Sequence, residues 1–158
     1  MRPTTIALTA VLAFAGAACG SVSSDDSASG EGTVPTLPGA CSLLTNAEVE
    51  QLTGKLPTTA RPAGNDSLSV CQWGDGTEDF FSVTLQTGHD WDAQVEIAIA
   101  RPDSMYRELA GVGDRAYVEF ERFVQAEHDD VLVITGPVDE GDIGALESMT
   151  ATIISRLP

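Results

Sequence analysis

The chain has 158 residues, with 24 acidic side chains against 8 basic ones and a formal net charge of −16. So acidic a surface repels phosphate backbones and anionic lipid headgroups, which excludes nucleic acid as a partner. Acidity also keeps a protein soluble, so the charge alone points to no particular ligand.

The first element is a leader. Arg2 and an apolar run from Ile6 to Ala15 lead into Gly16-Ala17-Ala18-Cys19. A cationic start, a short apolar segment and small residues before a cysteine have the form of a bacterial lipoprotein signal. Residues 1–18 are therefore expected to be removed and Cys19 to carry the lipid anchor, on the extracytoplasmic face of the cell membrane. The apolar run is too short for a spanning helix, which needs about 20 such residues. Ordinary secretion competes with this reading: the same small residues suit the general signal peptidase, and Gly16 stands where a branched aliphatic residue is usual. The long polar stretch after Cys19 favours the anchor. Loss of the leader removes Arg2 and no acid, leaving 24 acids against 7 bases.

Residues 19–39 hold the acylated cysteine and a segment rich in Ser, Gly and Pro, too poor in apolar side chains to offset the entropy of ordering. They read as a flexible tether with a reach of roughly 25 Å. Residues 40–158, about 120 in number, suit a single domain with one core.

Three cysteines are an odd count for an exported protein, and lipidation of Cys19 leaves Cys41 and Cys71 as an even pair. In an oxidising compartment a disulfide between them is the default. Two buried free thiols are the alternative. A metal site is disfavoured, because neither cysteine has a Cys or His at ligand spacing.

The domain opens with a helix over 46–53. Thr45 is its N-cap, Glu48 completes a capping box, Leu44 and Val49 form a hydrophobic staple, and Gly54 follows the last turn. Leu68–Trp73 alternates with period two, Gly74–Glu78 turns, and Phe80–Gln86 returns with Phe81, Val83 and Leu85 on one face. Trp91–Ala100 suits a helix, although Val95, Ile97 and Ile99 also fit strand alternation; helix is the preferred reading. Pro102 ends it, and Asp103 or Ser104 caps a short turn through Leu109. Ala116, Val118 and Phe120 mark the next strand. Phe123–Glu127 and Val131–Thr135 flank an Asp129-Asp130 turn, and the unbroken run Val131–Ile134 marks the best-buried strand. Asp142 starts a final helix with the stripe Ile143, Leu146, Met149, Thr150, Ile153 and Leu157. The expected fold is α+β: a mainly antiparallel sheet of about five strands, helices packed on one face, and one disulfide.

Four landmarks then align: Cys41–Thr45 entering a helix, Cys71-Gln72-Trp73 on a strand, Gly111-Val112-Gly113-Asp114-Arg115-Ala116-Tyr117, and a closing helix ending Arg156-Leu157-Pro158. With the leader they resemble an actinobacterial lipoprotein family of unknown function (domain of unknown function 3558). The resemblance spans residues 40–158 and implies a surface lipoprotein with a Cys41–Cys71 disulfide and no established reaction. The domain is more loosely similar to the extracellular sensor domains of some mycobacterial receptor kinases, which implies ligand sensing. Neither resemblance brings catalytic residues.

Candidate chemistry is sparse. His128 stands among Glu127, Asp129 and Asp130, but neighbours on a strand point to opposite faces and Asp-Asp suits a hairpin turn, so a solvated turn is expected rather than a metal site. His89-Asp90 reads as a loop before the Trp91 helix. There is no Gly-x-Ser-x-Gly elbow and no phosphate loop; Gly111 and Gly113 are read as turn glycines with positive φ. Trp73, Trp91, Tyr106 and Tyr117 suit either a core or a pocket for a sugar or lipid. No cofactor, metal ligand or catalytic residue is assigned, and the ligand-binding residues are left open. The expectation is a non-enzymatic binding domain for an envelope protein or small ligand. The alternatives are an envelope hydrolase using paired acids and a passive structural lipoprotein.

Overall fold

The computed structural model describes residues 36–138 and 142–158. The expected leader 1–18, Cys19 and the tether as far as residue 35 lie outside these described residues. Cys41 and Cys71 are joined in a disulfide with Cα atoms 4.9 Å apart. The bond fastens a short 3-10 helix, Ala40–Ser42, to the second strand of the sheet.

Among the described residues the chain forms α1 (Asn46–Thr53), β1 (Thr59–Asn65), β2 (Leu68–Gly74), β3 (Asp79–Gln86), α2 (Trp91–Ala100), β4 (Arg107–Leu109), β5 (Arg115–Glu119), β6 (Phe123–His128), β7 (Val131–Gly136) and α3 (Ile143–Ile154). The seven strands make one sheet in the order β1-β2-β3-β7-β6-β5-β4, antiparallel throughout. Two meanders, β1–β3 and β4–β7, thus meet at the β3–β7 pairing.

Local chemistry explains the helices. Thr45 and Glu48 form the expected reciprocal capping box, and Gly54 closes α1 in the left-handed region. The Asp90 side chain accepts the Ala93 N–H and starts α2, resolving that segment as a helix. Trp91, Val95 and Ala98, at helical spacing, are the residues that pack. Ile97 and Ile99, which had suggested strand alternation, remain 50% and 61% exposed. In α3 the stripe holds: Leu146, Thr150 and Ile153 are fully buried, with Ile143, Met149 and Leu157 packed beside them.

The sheet departs from expectation in four ways, each with a physical reason. It has seven strands among the described residues rather than about five. β1 lacks an alternating apolar signal because six of its seven residues are exposed, and its order comes from pairing with β2. β4, only three residues long, forms where a turn was expected, by pairing with β5. Phe120 does not extend the β5 alternation, because Phe120 and Glu121 both take positive φ and turn the chain into β6.

A further departure concerns the helices, which cover both faces of the sheet rather than one. One core unites Leu44, Val49 and Leu52 with Trp73, Phe81, Val83, Val133, Leu146 and Ile153, on the side of α1 and α3. A second, smaller core sets Trp91 and Ala98 of α2 against Tyr117 and Leu132, with Val95, Tyr106 and Ile134 beside them. β7 runs through both: Val131 and Val133 face the first, Leu132 and Ile134 the second. This accounts for its unbroken apolar sequence.

Two clasps hold the ends of the domain. Opening the disulfide releases a 30-residue separation, for which loop entropy gives a cost of about 3–4 kcal/mol. Urea unfolding of the oxidised and reduced domain should show this loss, and coincident transitions would remove the clasp from the account. The second clasp is Arg156, just beyond α3, which donates to both carboxylate oxygens of Glu48 and to the Leu43 carbonyl. The Arg156 hydrogen bonds, followed by the Thr45 backbone N–H, hold the Glu48 carboxyl down from 4.5 to about 2. A depressed folded pKa means this stabilisation is full above about pH 4.5 and is lost as the pH falls toward 2. Solvent screening keeps it to about 1 kcal/mol. Melting curves of wild type and Glu48→Gln should therefore converge as the pH drops through that window; a constant gap would contradict the assignment.

Candidate ligand pocket

On the face covered by α2, strand register places the polar and aromatic groups. Arg115 of β5 lies directly opposite Glu127 of β6, and Glu127 opposite Leu132 of β7. Cross-strand partners in an antiparallel pair have Cβ atoms about 4.5–5.5 Å apart, so the guanidinium and carboxylate meet without adjustment of the backbone. Two residues along, Glu108, Tyr117, Gln125 and Ile134 form the adjoining row.

Arg115 Nε donates to Glu127 Oε2 at 2.7 Å, and Nη1 donates to Asp92 of α2 at 3.1 Å. The other Glu127 oxygen, Oε1, lies 2.9 Å from His89 Nε2. A carboxylate only accepts, so this ring nitrogen carries the proton. His89 is not a solvated loop residue: its side chain is 2% exposed, and Nδ1 is buried with no hydrogen-bond partner among the described residues. Glu127, 13% exposed, thus ties the loop before α2 to the sheet.

Three of the four aromatics singled out in the sequence come together above this network. The Trp91 ring meets Tyr117 edge-on at 5.4 Å, and Tyr106 packs on Tyr117 at 5.2 Å. The Arg115 guanidinium lies 5.2 Å from the centroid of the Trp91 ring. Trp73 is separate, packed with Phe81 in the other core. Trp91 and Tyr106 flank a cavity of about 280 Å³, whose wall also includes Glu108, Asp114 and Arg115. The Tyr106 hydroxyl donates to Glu108 at 3.3 Å. Burial and then the Glu108 charge push the Tyr106 phenol up. Burial pushes the Tyr117 phenol up to about 12, with Glu119 adding to it. A larger cleft of about 610 Å³ lies between Thr36–Gly39 and residues 62–69, and no aromatic ring lines it.

The other sequence candidates fall into place around this pocket. Glu127 and His128 diverge as expected of strand neighbours. The Asp129-Asp130 turn forms with both residues at positive φ. His128 stands between Asp114, 3.4 Å from Nδ1 without hydrogen-bond geometry, and Asp129, 3.5 Å from Nε2. Facing atoms of these three residues lie within 4.8 Å of one another, and both aspartates are exposed. That is closer than the about 5–5.5 Å or 6.5–9.5 Å at which glycosidase carboxylates flank a bond, so this pair does not favour the hydrolase alternative. Gly113 is required as glycine: φ is +62°, and a Cβ would lie 2.5 Å from the Glu127 carbonyl oxygen. The Asp114 N–H donates to that same oxygen at 2.8 Å, which sets Asp114 at the cavity wall.

The chain matches no protein-family model, no curated protein and no solved structure.

Glu127→Ala would leave the buried His89 Nε2 without its acceptor and take one of two carboxylate partners from the half-exposed Arg115. The expected cost, from the unsatisfied buried donor, is about 1–2 kcal/mol, read from the shift in urea midpoint. A loss below about 0.5 kcal/mol would show that the network does not anchor α2.

Proposed function

We propose that this chain is a membrane-anchored extracytoplasmic lipoprotein, of the kind its sequence landmarks resemble, whose domain binds a small envelope ligand without transforming it. The aromatic-walled cavity between α2 and the β4–β5 edge carries the binding part of the reading. Trp91 and Tyr106 line the cavity from two different segments, and both rings pack on the buried Tyr117 behind them. At about 280 Å³ the cavity lies just below the range for drug-sized ligands, about 300–1,000 Å³, which suits only a small molecule or a single head group.

The anchor rests on the Gly16–Cys19 pattern, and the Cys41–Cys71 disulfide supports an oxidising compartment. Burial of His89 argues against its use as a proton carrier for a solvent-borne substrate. The single test of binding is thermal unfolding of the domain with neutral sugars, alkylamines and short carboxylic acids in turn. One class should raise the melting temperature, by the equivalent of about 2.7 kcal/mol at a hundredfold excess over Kd, and Tyr106→Ala should abolish the rise. No response to any class overturns the binding reading. For the anchor, Cys19→Ala should move the protein from the membrane fraction to the soluble one; an unchanged distribution would overturn it.

A further inference from the structure

We infer that the pocket at Trp91 and Tyr106 selects an organic cation, an alkylammonium or guanidinium group of head-group size; the inference deepens the binding reading and rests on it. Its first support is the local charge. Glu108 and Asp114 line the cavity, while the one lining cation, Arg115, is already held by Glu127 and Asp92. Glu108 and Asp114 therefore line the cavity in addition to the two carboxylates that hold the guanidinium. Neighbouring arginines do not correct the imbalance, because Arg107 pairs with Glu147 of α3 and Arg101 with Glu119.

The second support is the aromatic ring beside those charges. Arg115 itself sits over the Trp91 ring with carboxylates on either side, so the wall already holds a cation by the combination of ring and acid that would recognise a ligand. Cations are drawn to aromatic faces by the ring quadrupole, most strongly where water is displaced. Tyr106, only half-buried, supplies a second ring, with Tyr117 packed behind it. Burial first, and then the Glu108 charge, push the Tyr106 phenol up. A neutral sugar would use the rings and leave the acids without a counter-charge, and an anion would meet repulsion.

The experiment compares choline with its uncharged carbon analogue 3,3-dimethylbutan-1-ol, using the full chain with its disulfide intact, by isothermal titration calorimetry. Choline should bind at least about tenfold more tightly than the neutral analogue. Its affinity should fall as salt is raised, through screening of the rim. Glu108→Gln and Asp114→Asn keep the hydrogen-bonding shape of each side chain and remove its charge. Each should weaken choline by about fivefold and leave the neutral analogue unaffected. Equal binding of both probes, or choline binding insensitive to both variants, overturns the inference while the pocket reading stands. If neither probe binds and neutral sugars do, the cation inference falls alone. If none of these binds, both fall.

Discussion

Pairing of β3 with β7 joins two three- and four-stranded meanders into one sheet, and it puts β7 in the middle with strands on both sides. A central strand rich in Val, Leu and Ile exposes apolar surface on both faces, and each face needs a cover. α1 and α3 cover one, where Thr135 of β7 and Thr150 of α3 share a buried hydroxyl contact at 2.7 Å. α2, the connection between the meanders, is the only described helix left for the other. Its placement follows from β7 and in turn fixes Trp91, because the residue after the Asp90 cap has to meet Tyr117 and Leu132. The pocket is a by-product of that requirement: a short helix over a wide sheet leaves a concavity at its end.

Much of this was legible in the sequence where the signal is local. Capping boxes, positive-φ glycines and a closing apolar stripe act within a few residues, so Thr45, Glu48, Gly54 and Leu146 to Ile153 read correctly. β1 was illegible because its stability comes from backbone pairing with β2, which leaves no apolar alternation in Thr59–Asn65. The second helical layer was hidden in the same run, Val131–Ile134, that was read as deep burial. An apolar side chain at every position of a strand says that both faces are covered, and hence that helices lie on two sides.

The His89–Glu127–Arg115 network was missed for a different reason. Extending β5 through Phe120 shifts the β5–β6 turn, and a shift of one residue puts each side chain on the wrong face. With the turn placed at Phe120 and Glu121, the antiparallel register sets Arg115 opposite Glu127. His89 carries no comparable signal. It lies 38 residues from Glu127 in sequence, and only the docking of α2 brings the two together.

A buried histidine paired with a carboxylate beside a cavity is an arrangement that catalysis also uses, so the distribution of contacts has to discriminate. Both oxygens of Glu127 are engaged, one by His89 and one by Arg115. The His89 ring is closed to solvent, and Arg115 spends its charge on Glu127 and Asp92. What faces the cavity is therefore two rings, the Glu108 and Asp114 carboxylates and the already paired Arg115, with His89 and Glu127 behind the wall bracing it. Groups fixed behind a wall raise the rigidity of a site and so lower the entropic cost of occupying it. That division, rigid support inside and acid-lined rings outside, is what the proposal of a holding site rests on.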